Sequence, residues 1–392
     1  MPSPQLRISN LEGACRPTEL QELLLKAALL EGQEAFSAWC EWNRREGLEQ
    51  LDLGSYHTLP LVYSNLAQQG FQHPLLGMLG GIRRRAWYEN RLLFRRLAPV
   101  IEMLQRAAIP TLLLKGAALA LLYYPDPGLR PMADLDVLVP ETRALQTLRL
   151  FESQGWKHEE EKTGERLRFR ESDLGFRHSL MLFHLDGREI DLHWHALFLA
   201  SFRGADQPFW EASVPLEFEG VWTQALCATD QLLHACVHGP MWNPLPPMRW
   251  VADAITVIRS SKTDWQRLLM LAQRFRLVAP VREALEYLAT ALAAPVPPVV
   301  LAALRQIKVR QSEELEYQRL CKPWHLLGPI DSARATYGVY ARCMRGETRL
   351  AKLARLPRYL QCNWRLERPQ QVWPEAMRRI IQRLKVRKRS SA

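Results

Sequence analysis

The stretch that decides the fold runs from Pro110 to Pro140 and reads PTLLLKGAALALLYYPDPGLRPMADLDVLVP. It begins with a short apolar run, Thr111 to Leu114, which suits a buried strand and is too short for a helix. The Ala- and Leu-rich segment from Ala117 to Tyr124 then predicts a helix. A turn rich in Pro, Asp and Gly separates this helix from a second strand. The pattern therefore predicts a strand, a helix and a second strand in close succession.

The second predicted strand, Asp134 to Val139, carries two carboxylates that are separated by one residue. Because successive side chains of a strand point to opposite faces, Asp134 and Asp136 share one face, and Leu135 and Val137 point into the core. Two neighbouring carboxylates repel each other unless a cation lies between them. The pattern therefore predicts a metal site, and its hard oxygen ligands suit magnesium.

Further along the chain, Asp186 and Gly187 lie between two apolar runs and give the strongest hairpin signal in the sequence. We expect a two-residue turn there that pairs Leu182 with Asp191. On the second strand of this hairpin, Asp191 and His193 share a face. If the hairpin adds to the sheet beside the acidic strand, Asp191 can stand next to the two earlier carboxylates as a third ligand.

The segments LLKGAAL, DLDVLV and IDLHW, together with Tyr124, Asp126 and Arg130, resemble the uncharacterised bacterial nucleotidyltransferase family of the DNA polymerase β superfamily. The resemblance is strongest over residues 110–195 and continues more loosely, in helical sequence, to about residue 275. It implies an α+β fold in which a small mixed β-sheet, the polymerase β-like palm, is flanked by N-terminal and C-terminal helical regions.

The resemblance also implies a reaction. Asp134, Asp136 and Asp191 would be the catalytic residues and would hold two magnesium ions, with manganese as the other candidate metal. Such an enzyme transfers a nucleoside monophosphate from a triphosphate such as ATP to a hydroxyl or phosphate group, and pyrophosphate leaves. The acceptor would be a small molecule, a sugar, a peptide or a protein.

Nucleotide binding is assigned to Lys115, Gly116 and Arg130. Gly116 lets the backbone approach the triphosphate, and Lys115 or Arg130 would neutralise its charge. Two alternatives stay open, because Lys115 could cap a strand end in solvent and Arg130 could pair with Asp126 or Asp134. An alanine follows the glycine where superfamily members commonly have a serine, so one hydroxyl contact to phosphate is missing.

The sequence beyond residue 200 is predicted to be helical and supplies further candidates for substrate contact. His234 and His238 lie four residues apart and could bind zinc, but Ala235 replaces the Glu of an HExxH motif, which favours packing or substrate contact. Arg249 and Asp253 have the spacing of a local salt bridge on a helix. The substrate-binding candidates are His193, His234, His238, Arg249 and Asp253.

The helical pattern before residue 108 includes a capping box at Thr18 and Gln21 and shows no residues with evident chemistry. The Pro-rich segment 239–248 predicts a loop, and APVPPV at 294–299 predicts a linker. We therefore divide the chain into four parts: an N-terminal helical region at 1–108, a catalytic core at 109–200, a helical substrate-side region at 201–294, and a C-terminal helical region with a basic tail at 295–392.

The net positive charge of the chain comes entirely from its C-terminal segment. The whole chain has 52 Lys and Arg and 41 Asp and Glu; residues 343–392 hold 14 and 3 of these, which leaves 38 and 38 for the rest. A nucleic-acid polymerase would be expected to be basic around its active site as well, so this function is disfavoured. The composition of the tail is typical of a solvated helix end. The alternative is a segment that contacts an anionic membrane surface or nucleic acid.

The seven cysteines are widely spread without a CxxC pair, which favours a reducing compartment over a disulfide framework. No stretch approaches the roughly 18 uncharged apolar residues of a membrane helix. We therefore expect a cytoplasmic protein without a transmembrane segment. The intact set of three carboxylates favours an enzyme, and the alternative is a catalytically silent nucleotide-binding or regulatory module that acts through the basic tail.

Overall fold

The computed structural model describes residues 16–49, 51–158, 171–239, 241, 248–323 and 326–389, with the backbone alone for 171–172 and 383–389. The described strands are β1 Leu112–Leu113, β2 Leu135–Leu138, β3 Lys157–His158, β4 Ser179–Phe183, β5 Glu189–His193, β6 Val214–Phe218 and β7 Val221–Ala225. The described helices are α1 Glu19–Leu29, α2 Gly32–Arg45, α3 Leu53–Gln68, α4 Leu76–Arg106, α5 Lys115–Leu122, α6 Ala144–Ser153, α7 Glu171–Leu174, α8 Gln207–Glu211, α9 Ala228–His238, α10 Met248–Ser260, α11 Trp265–Phe275, α12 Val278–Ala291, α13 Pro298–Gln306, α14 Gln311–Leu320, α15 Pro329–Cys343, α16 Arg349–Asn363 and α17 Val372–Arg389.

The strands form one mixed sheet in the order β3-β4-β5-β2-β1-β7-β6. At its centre β2 pairs in parallel with β5 and in antiparallel orientation with β1. The predicted succession of strand, helix and strand at residues 110–140 is confirmed as β1, α5 and β2. Asp136 of β2 therefore stands in the middle of the sheet, between β5 and β1, whereas Asp134 precedes the strand.

Two further strands lie where the sequence predicts helix. β6 and β7 form an antiparallel hairpin, and β7 pairs in parallel with β1 through Leu112 opposite Gln224 and Leu113 opposite Ala225. The prediction of helix throughout the chain beyond residue 200 is therefore wrong in this segment, and the sheet continues to residue 225. The alternating burial along β6 and β7 is what a sheet edge with one solvated face requires.

The hairpin of β4 and β5 forms as expected, but its predicted register is wrong by one residue. Leu182 pairs with Ile190 and Met181 pairs with Asp191. His184 N donates to Arg188 O, so the loop has three residues, and its last residue, Gly187, has a φ of +83°. A three-residue loop that ends in a left-handed glycine is a common hairpin connection, and it shifts the pairing relative to a two-residue turn.

The two largest hydrophobic clusters among the described residues form the core around the sheet and the helices. One lies between the sheet and the long helix α4, where Phe94, Leu97, Leu135, Val137 and Ile190 are buried. The other joins the N-terminal helices α1 to α3 with helices α9 to α13. The predicted capping box at the start of α1 is confirmed, since the side chains and backbones of Thr18 and Gln21 bond reciprocally. The N-terminal helices thus pack against the helices that follow the sheet.

The segment predicted as a linker at 294–299 is a short connection inside this second core. Ala294 and Val296 are buried in the same cluster as Leu285 before them and Leu304 after them. The segment connects α12 with α13 within one core, and Pro298 is the first residue of α13. The predicted loop at 239–248 lies almost entirely outside the described residues. No helix within the described ranges is long and apolar enough to cross a membrane.

Candidate functional site

The candidate site is built on the central pair of parallel strands. β2 and β5 align so that Asp136 lies directly opposite Asp191, and Leu138 lies opposite His193. Because side chains alternate along a strand, Asp191 and His193 project from the same face of β5. The sheet register therefore brings two carboxylates and one imidazole to one place.

The three side chains contact each other closely. His193 Nε2 lies 2.9 Å from Asp191 Oδ2 and 3.2 Å from Asp136 Oδ1. Lys115 Nζ lies 2.9 Å from the same oxygen of Asp136. Among the described residues, Asp136, Asp191 and His193 are the group whose ligand atoms all lie within 4.8 Å of one another and could hold a metal ion.

Burial and neighbouring charges set the protonation of these groups. Burial opposes ionisation of Asp136, but the charge of Lys115 and the hydrogen bond from His193 outweigh it and hold the pKa of Asp136 below its ordinary value. Burial also opposes the charged form of His193, yet its bonds to the two carboxylates raise its pKa. The site therefore brings the ammonium group of Lys115 and the imidazole of His193 against the carboxylates of Asp136 and Asp191.

Asp134 occupies a different position. It precedes β2 and lines the same cavity, although it does not belong to the close group of Asp136, Asp191 and His193. Burial, together with the neighbouring charge of Asp136, raises the pKa of Asp134. A carboxylate whose charged form is disfavoured in the folded protein gains most from a cation beside it.

Asp134, Asp136 and Asp191 line a cavity of about 290 Å³ between the sheet, α3, α5, α9 and α10. The carboxylates, Lys115 and Gly116 form one wall of the cavity. A second wall comes from α9, which presents Gln231, His234 and His238 at helical spacing. His57 of α3 also lines the cavity, so the N-terminal helices contribute to the site although no sequence pattern in them indicates this.

The histidines that line the cavity, His57, His234 and His238, are neutral at pH 7. Burial lowers the pKa of His57 to about 4 and that of His238 to about 3, and it lowers the pKa of His234 as well. The rings of His234 and His238 stack with centroids 5.6 Å apart. Both histidines line the cavity, where they can contact a bound substrate.

Several buried polar atoms around the cavity have no hydrogen-bond partner. They are Arg130 Nη1, His57 Nδ1, His234 Nε2, and both amide atoms of Gln231. Buried polar atoms usually have partners, and an unpaired one costs about 1–3 kcal/mol. A polar ligand in the cavity would supply the missing partners. Gln231 and His57 were not predicted from the sequence, because neither belongs to a motif.

Arg130 and Asp253 form a buried ion pair that closes one end of the cavity. Arg130 Nε and Nη2 donate to the two oxygens of Asp253 at 2.8 and 2.9 Å, and the Tyr124 hydroxyl donates to Asp253 at 2.8 Å. The expected salt bridge of Asp253 with Arg249 is therefore wrong. Arg249 lies one turn before Asp253 and lines the cavity instead.

The alternative that Arg130 pairs with Asp126 or Asp134 is wrong as well. Asp126 pairs with Arg83 of α4, and Arg130 is committed to Asp253. The alternative that Lys115 caps a strand end in solvent is wrong too, because its ammonium group lies on Asp136. Long-range partners of this kind leave no trace in local sequence spacing.

The start of α5 is the part of the site closest to a phosphate-binding geometry. Lys115 has a φ of +37°, an uncommon backbone conformation for a residue with a side chain. Gly116 follows at the cavity wall, and a Cβ added there would lie 3.5 Å from Arg130 Nη1. Backbone N–H groups at a helix start favour anions, and the absence of a side chain at Gly116 leaves them accessible.

The donor set suits a divalent cation. Carboxylate oxygens from two strands and an imidazole nitrogen converge at hydrogen-bonding distances, and all three types of atom are common metal ligands. Three side chains, those of Asp136, Asp191 and His193, could therefore hold a metal ion.

A comparison with known protein families agrees with this arrangement. The model of a family described as an uncharacterised nucleotidyltransferase matches residues 55–293. The match covers more than half of the chain and includes β2, β5 and the whole cavity wall from α9 and α10. The chain belongs to this nucleotidyltransferase family. No curated protein matches it significantly.

Proposed function

We propose that this protein transfers a nucleoside monophosphate from a nucleoside triphosphate, with ATP as the first candidate, to a hydroxyl or phosphate acceptor, releasing pyrophosphate. The observation that supports it most is the parallel register that sets Asp136 opposite Asp191 in one cavity with Asp134 and the start of α5. In this proposal the mixed sheet is a polymerase β-like palm.

Asp134, Asp136 and Asp191 would hold magnesium or manganese ions in this site. Two bound divalent ions stabilise the attacking and leaving oxygens of an in-line displacement. The chain's own groups position the substrates. Asp191 lies in contact with His193 and can accept the proton of the acceptor hydroxyl.

The triphosphate would bind at the start of α5. Lys115 supplies a positive charge 2.9 Å from Asp136, Gly116 leaves the backbone open, and Arg130 directs its unpaired Nη1 toward the same place. These three groups combine backbone donors with two cations, which is the combination that phosphate recognition uses.

The acceptor would bind against the second wall. His234, His238 and Gln231 present neutral polar groups there, and Arg249 lines the adjoining side. Asp253 acts indirectly, because its carboxylate holds Arg130 in place. Neutral hydrogen-bonding groups suit a polar acceptor whose hydroxyl must approach the nucleotide without charge repulsion.

The test is pyrophosphate release with the four nucleoside triphosphates, in the presence of magnesium or manganese and a cell extract that supplies acceptors. Wild type is compared with Asp136→Asn and with Asp186→Asn, which changes an exposed carboxylate in the loop between β4 and β5. The proposal expects metal-dependent release by wild type and Asp186→Asn, and none by Asp136→Asn.

Metal-dependent nucleotide binding without pyrophosphate release from any extract would support the other candidate, a catalytically silent nucleotide-binding module. Equal release by wild type and a folded Asp136→Asn protein would contradict the proposed chemistry.

A further inference from the structure

We propose that His193 is a direct metal ligand and that, with Asp136 and Asp191, it makes this site selective for a first-row transition ion over magnesium. This inference deepens the proposed function and rests on its metal-dependent site. The site differs from one made of carboxylates alone, because one of its three converging ligand atoms is an imidazole nitrogen.

The distances fit coordination. His193 Nε2 lies 2.9 Å from one carboxylate oxygen and 3.2 Å from the other. Two ligand atoms that each lie about 2.1 Å from a metal, at right angles, are separated by roughly 3 Å. The nitrogen thus already has the spacing of a neighbouring ligand with respect to both Asp136 and Asp191.

The surroundings of the ring fix its orientation. The side chain of His193 is only 1% exposed, so it has no alternative position in solvent. His178 packs against it with ring centroids 5.6 Å apart. Nδ1 has no hydrogen-bond partner, whereas Nε2 contacts both carboxylates. The atom presented to the carboxylates is therefore Nε2, the atom that would bind metal.

Ligand chemistry then sets the metal preference. Carboxylate oxygens bind magnesium and manganese alike, but an imidazole nitrogen favours first-row transition ions. We expect wild type to bind Mn²⁺ at least about tenfold more tightly than Mg²⁺. The competing role for His193 is purely structural, as a protonated ring that links two carboxylates, and it makes the same contacts without a metal–nitrogen bond.

The experiment is electron spin echo envelope modulation spectroscopy of Mn²⁺ bound to the full chain, together with calorimetric titrations of Mn²⁺ and Mg²⁺. The variants are His193→Gln, His193→Asn and the matched control His184→Gln, a histidine at the end of β4 that pairs with Asp186. We expect a directly coordinated nitrogen-14 signal in wild type and the control. The signal and the tenfold preference should both be lost in the two His193 variants.

Bound Mn²⁺ without a coordinated nitrogen in wild type would overturn the inference, and so would a signal that survives in a folded His193→Gln protein. These results are independent of transfer. A nitrogen signal without pyrophosphate release would support His193 as a metal ligand and contradict the proposed transferase activity. Pyrophosphate release without the nitrogen signal would support the activity and contradict the ligand assignment. Failure of wild type to bind Mn²⁺ at all would overturn both.

A separate observation concerns the C-terminal helix α17. Four large apolar side chains at i, i+4, i+7 and i+8 share one face of this helix and are 42–72% exposed: Trp373, Met377, Ile380 and Ile381. Val372 at the start of the helix is buried, which anchors α17 to the body. The apolar face is thus held outward on a fixed helix.

The same helix is strongly basic. From Arg378 to Arg389 the sequence holds seven Lys and Arg residues and no acidic residue. We infer that α17 binds an anionic membrane surface, with the apolar face entering the lipid interface and the basic residues meeting the headgroups. Charge complementarity selects this partner over a second copy of the chain, whose α17 would carry the same charge. Nucleic acid would leave the apolar face uncovered.

The test is sedimentation of the full chain with vesicles of phosphatidylcholine, alone or mixed with phosphatidylglycerol. We expect binding to the anionic vesicles alone, weakened by salt, and weakened about tenfold in Trp373→Ser with Ile381→Ser. The matched control is Trp222→Ser, an exposed tryptophan on β7. Absence of binding to anionic vesicles, or binding unchanged in the double variant, would overturn the inference. Tighter binding to duplex DNA or RNA, or self-association through α17, would also overturn it.

Discussion

Arg130 and Asp253, which are 123 residues apart in the chain, form a two-bonded ion pair whose side chains are each about 7% exposed. The pair joins the segment before β2 to helix α10. Because a buried charge without its partner is costly, this contact fixes α10 over the sheet and with it the position of Arg249 in the cavity. The Tyr124 hydroxyl donates to the same carboxylate.

Tyr124→Phe should therefore lower the free energy of unfolding by about 1–2 kcal/mol, because it removes one donor from a buried carboxylate. Urea denaturation measures the change. Tyr88→Phe, which alters an exposed tyrosine on α4, should have no measurable effect. Equal stabilities for wild type and Tyr124→Phe would show that Arg130 alone satisfies Asp253.

Two substitutions in the acidic strand should change stability in opposite directions. Asp136→Asn removes the carboxylate that pairs with Lys115 and His193, and should cost about 3 kcal/mol. Asp134→Asn removes a carboxylate whose charged form is disfavoured by burial and by Asp136, and should cost nothing or stabilise the protein slightly.

Urea unfolding at neutral pH without added metal measures both effects of the acidic-strand variants. Both should nevertheless abolish metal-dependent nucleotide binding. A destabilised Asp134→Asn protein would mean that this carboxylate has a structural partner of its own.

Gly116→Ala should separate folding from nucleotide binding. An added Cβ would meet its nearest neighbours, Arg130, Met132 and Asp134, at ordinary contact distances of 3.5 to 3.9 Å, so the fold should accept it. The methyl group would occupy the place where the backbone meets phosphate, so nucleotide affinity should fall about tenfold or more. Thermal unfolding and calorimetric titration measure the two properties.

The control for Gly116→Ala is Gly81→Ala, which lies on α4 with open space around its added Cβ. Unchanged nucleotide affinity in Gly116→Ala would show that the start of α5 does not bind the phosphates.

Because the histidines of the cavity are neutral in the folded protein, we expect its free energy of unfolding to fall at acidic pH. The unfolded chain takes up a proton on His57 near pH 6.5, but burial lowers the pKa in the folded protein to about 4. The contribution of neutral His57 to the free energy of unfolding is therefore fully present above pH 6.5 and is lost as the pH falls from 6.5 to about 4. Over that window it amounts to at most about 3 kcal/mol.

The comparison that isolates this effect is His57→Gln against wild type, unfolded in urea at several pH values. At pH 5 the variant should take up about one proton fewer on unfolding. An identical pH dependence in the two proteins would mean that His57 is protonated at its ordinary pKa in the folded state.

The sequence predicted the parts of the site that local periodicity controls. Strand alternation predicts that Asp134 and Asp136 share a face, but β2 begins at Leu135, so Asp136 lies in the strand and Asp134 precedes it. The Asp-Gly dipeptide marks the hairpin that carries Asp191. The register of that hairpin was not predictable, because Asp-Gly fits both two-residue and three-residue loops. That β5 lies beside β2 came from the family resemblance, since spacing alone allows other arrangements.

The features of the site that were not predicted depend on tertiary contacts. Asp253 has a nearby arginine at helical spacing, yet it pairs with Arg130, which only the packing of α10 on the sheet brings close. His57 and Gln231 reach the cavity from elements with no motif. The strands β6 and β7 were missed, and they join the sheet through the non-local pairing of β7 with β1.

The most direct test of the central claim is calorimetric titration of the four nucleoside triphosphates into wild type, Asp136→Asn and Asp186→Asn, with magnesium, with manganese and with EDTA. We predict that at least one triphosphate binds wild type and Asp186→Asn in a metal-dependent manner, and that Asp136→Asn does not bind it. Absence of metal-dependent binding by wild type, or equal binding by a folded Asp136→Asn protein, would contradict the assignment of this cavity as a nucleotidyl-transfer site.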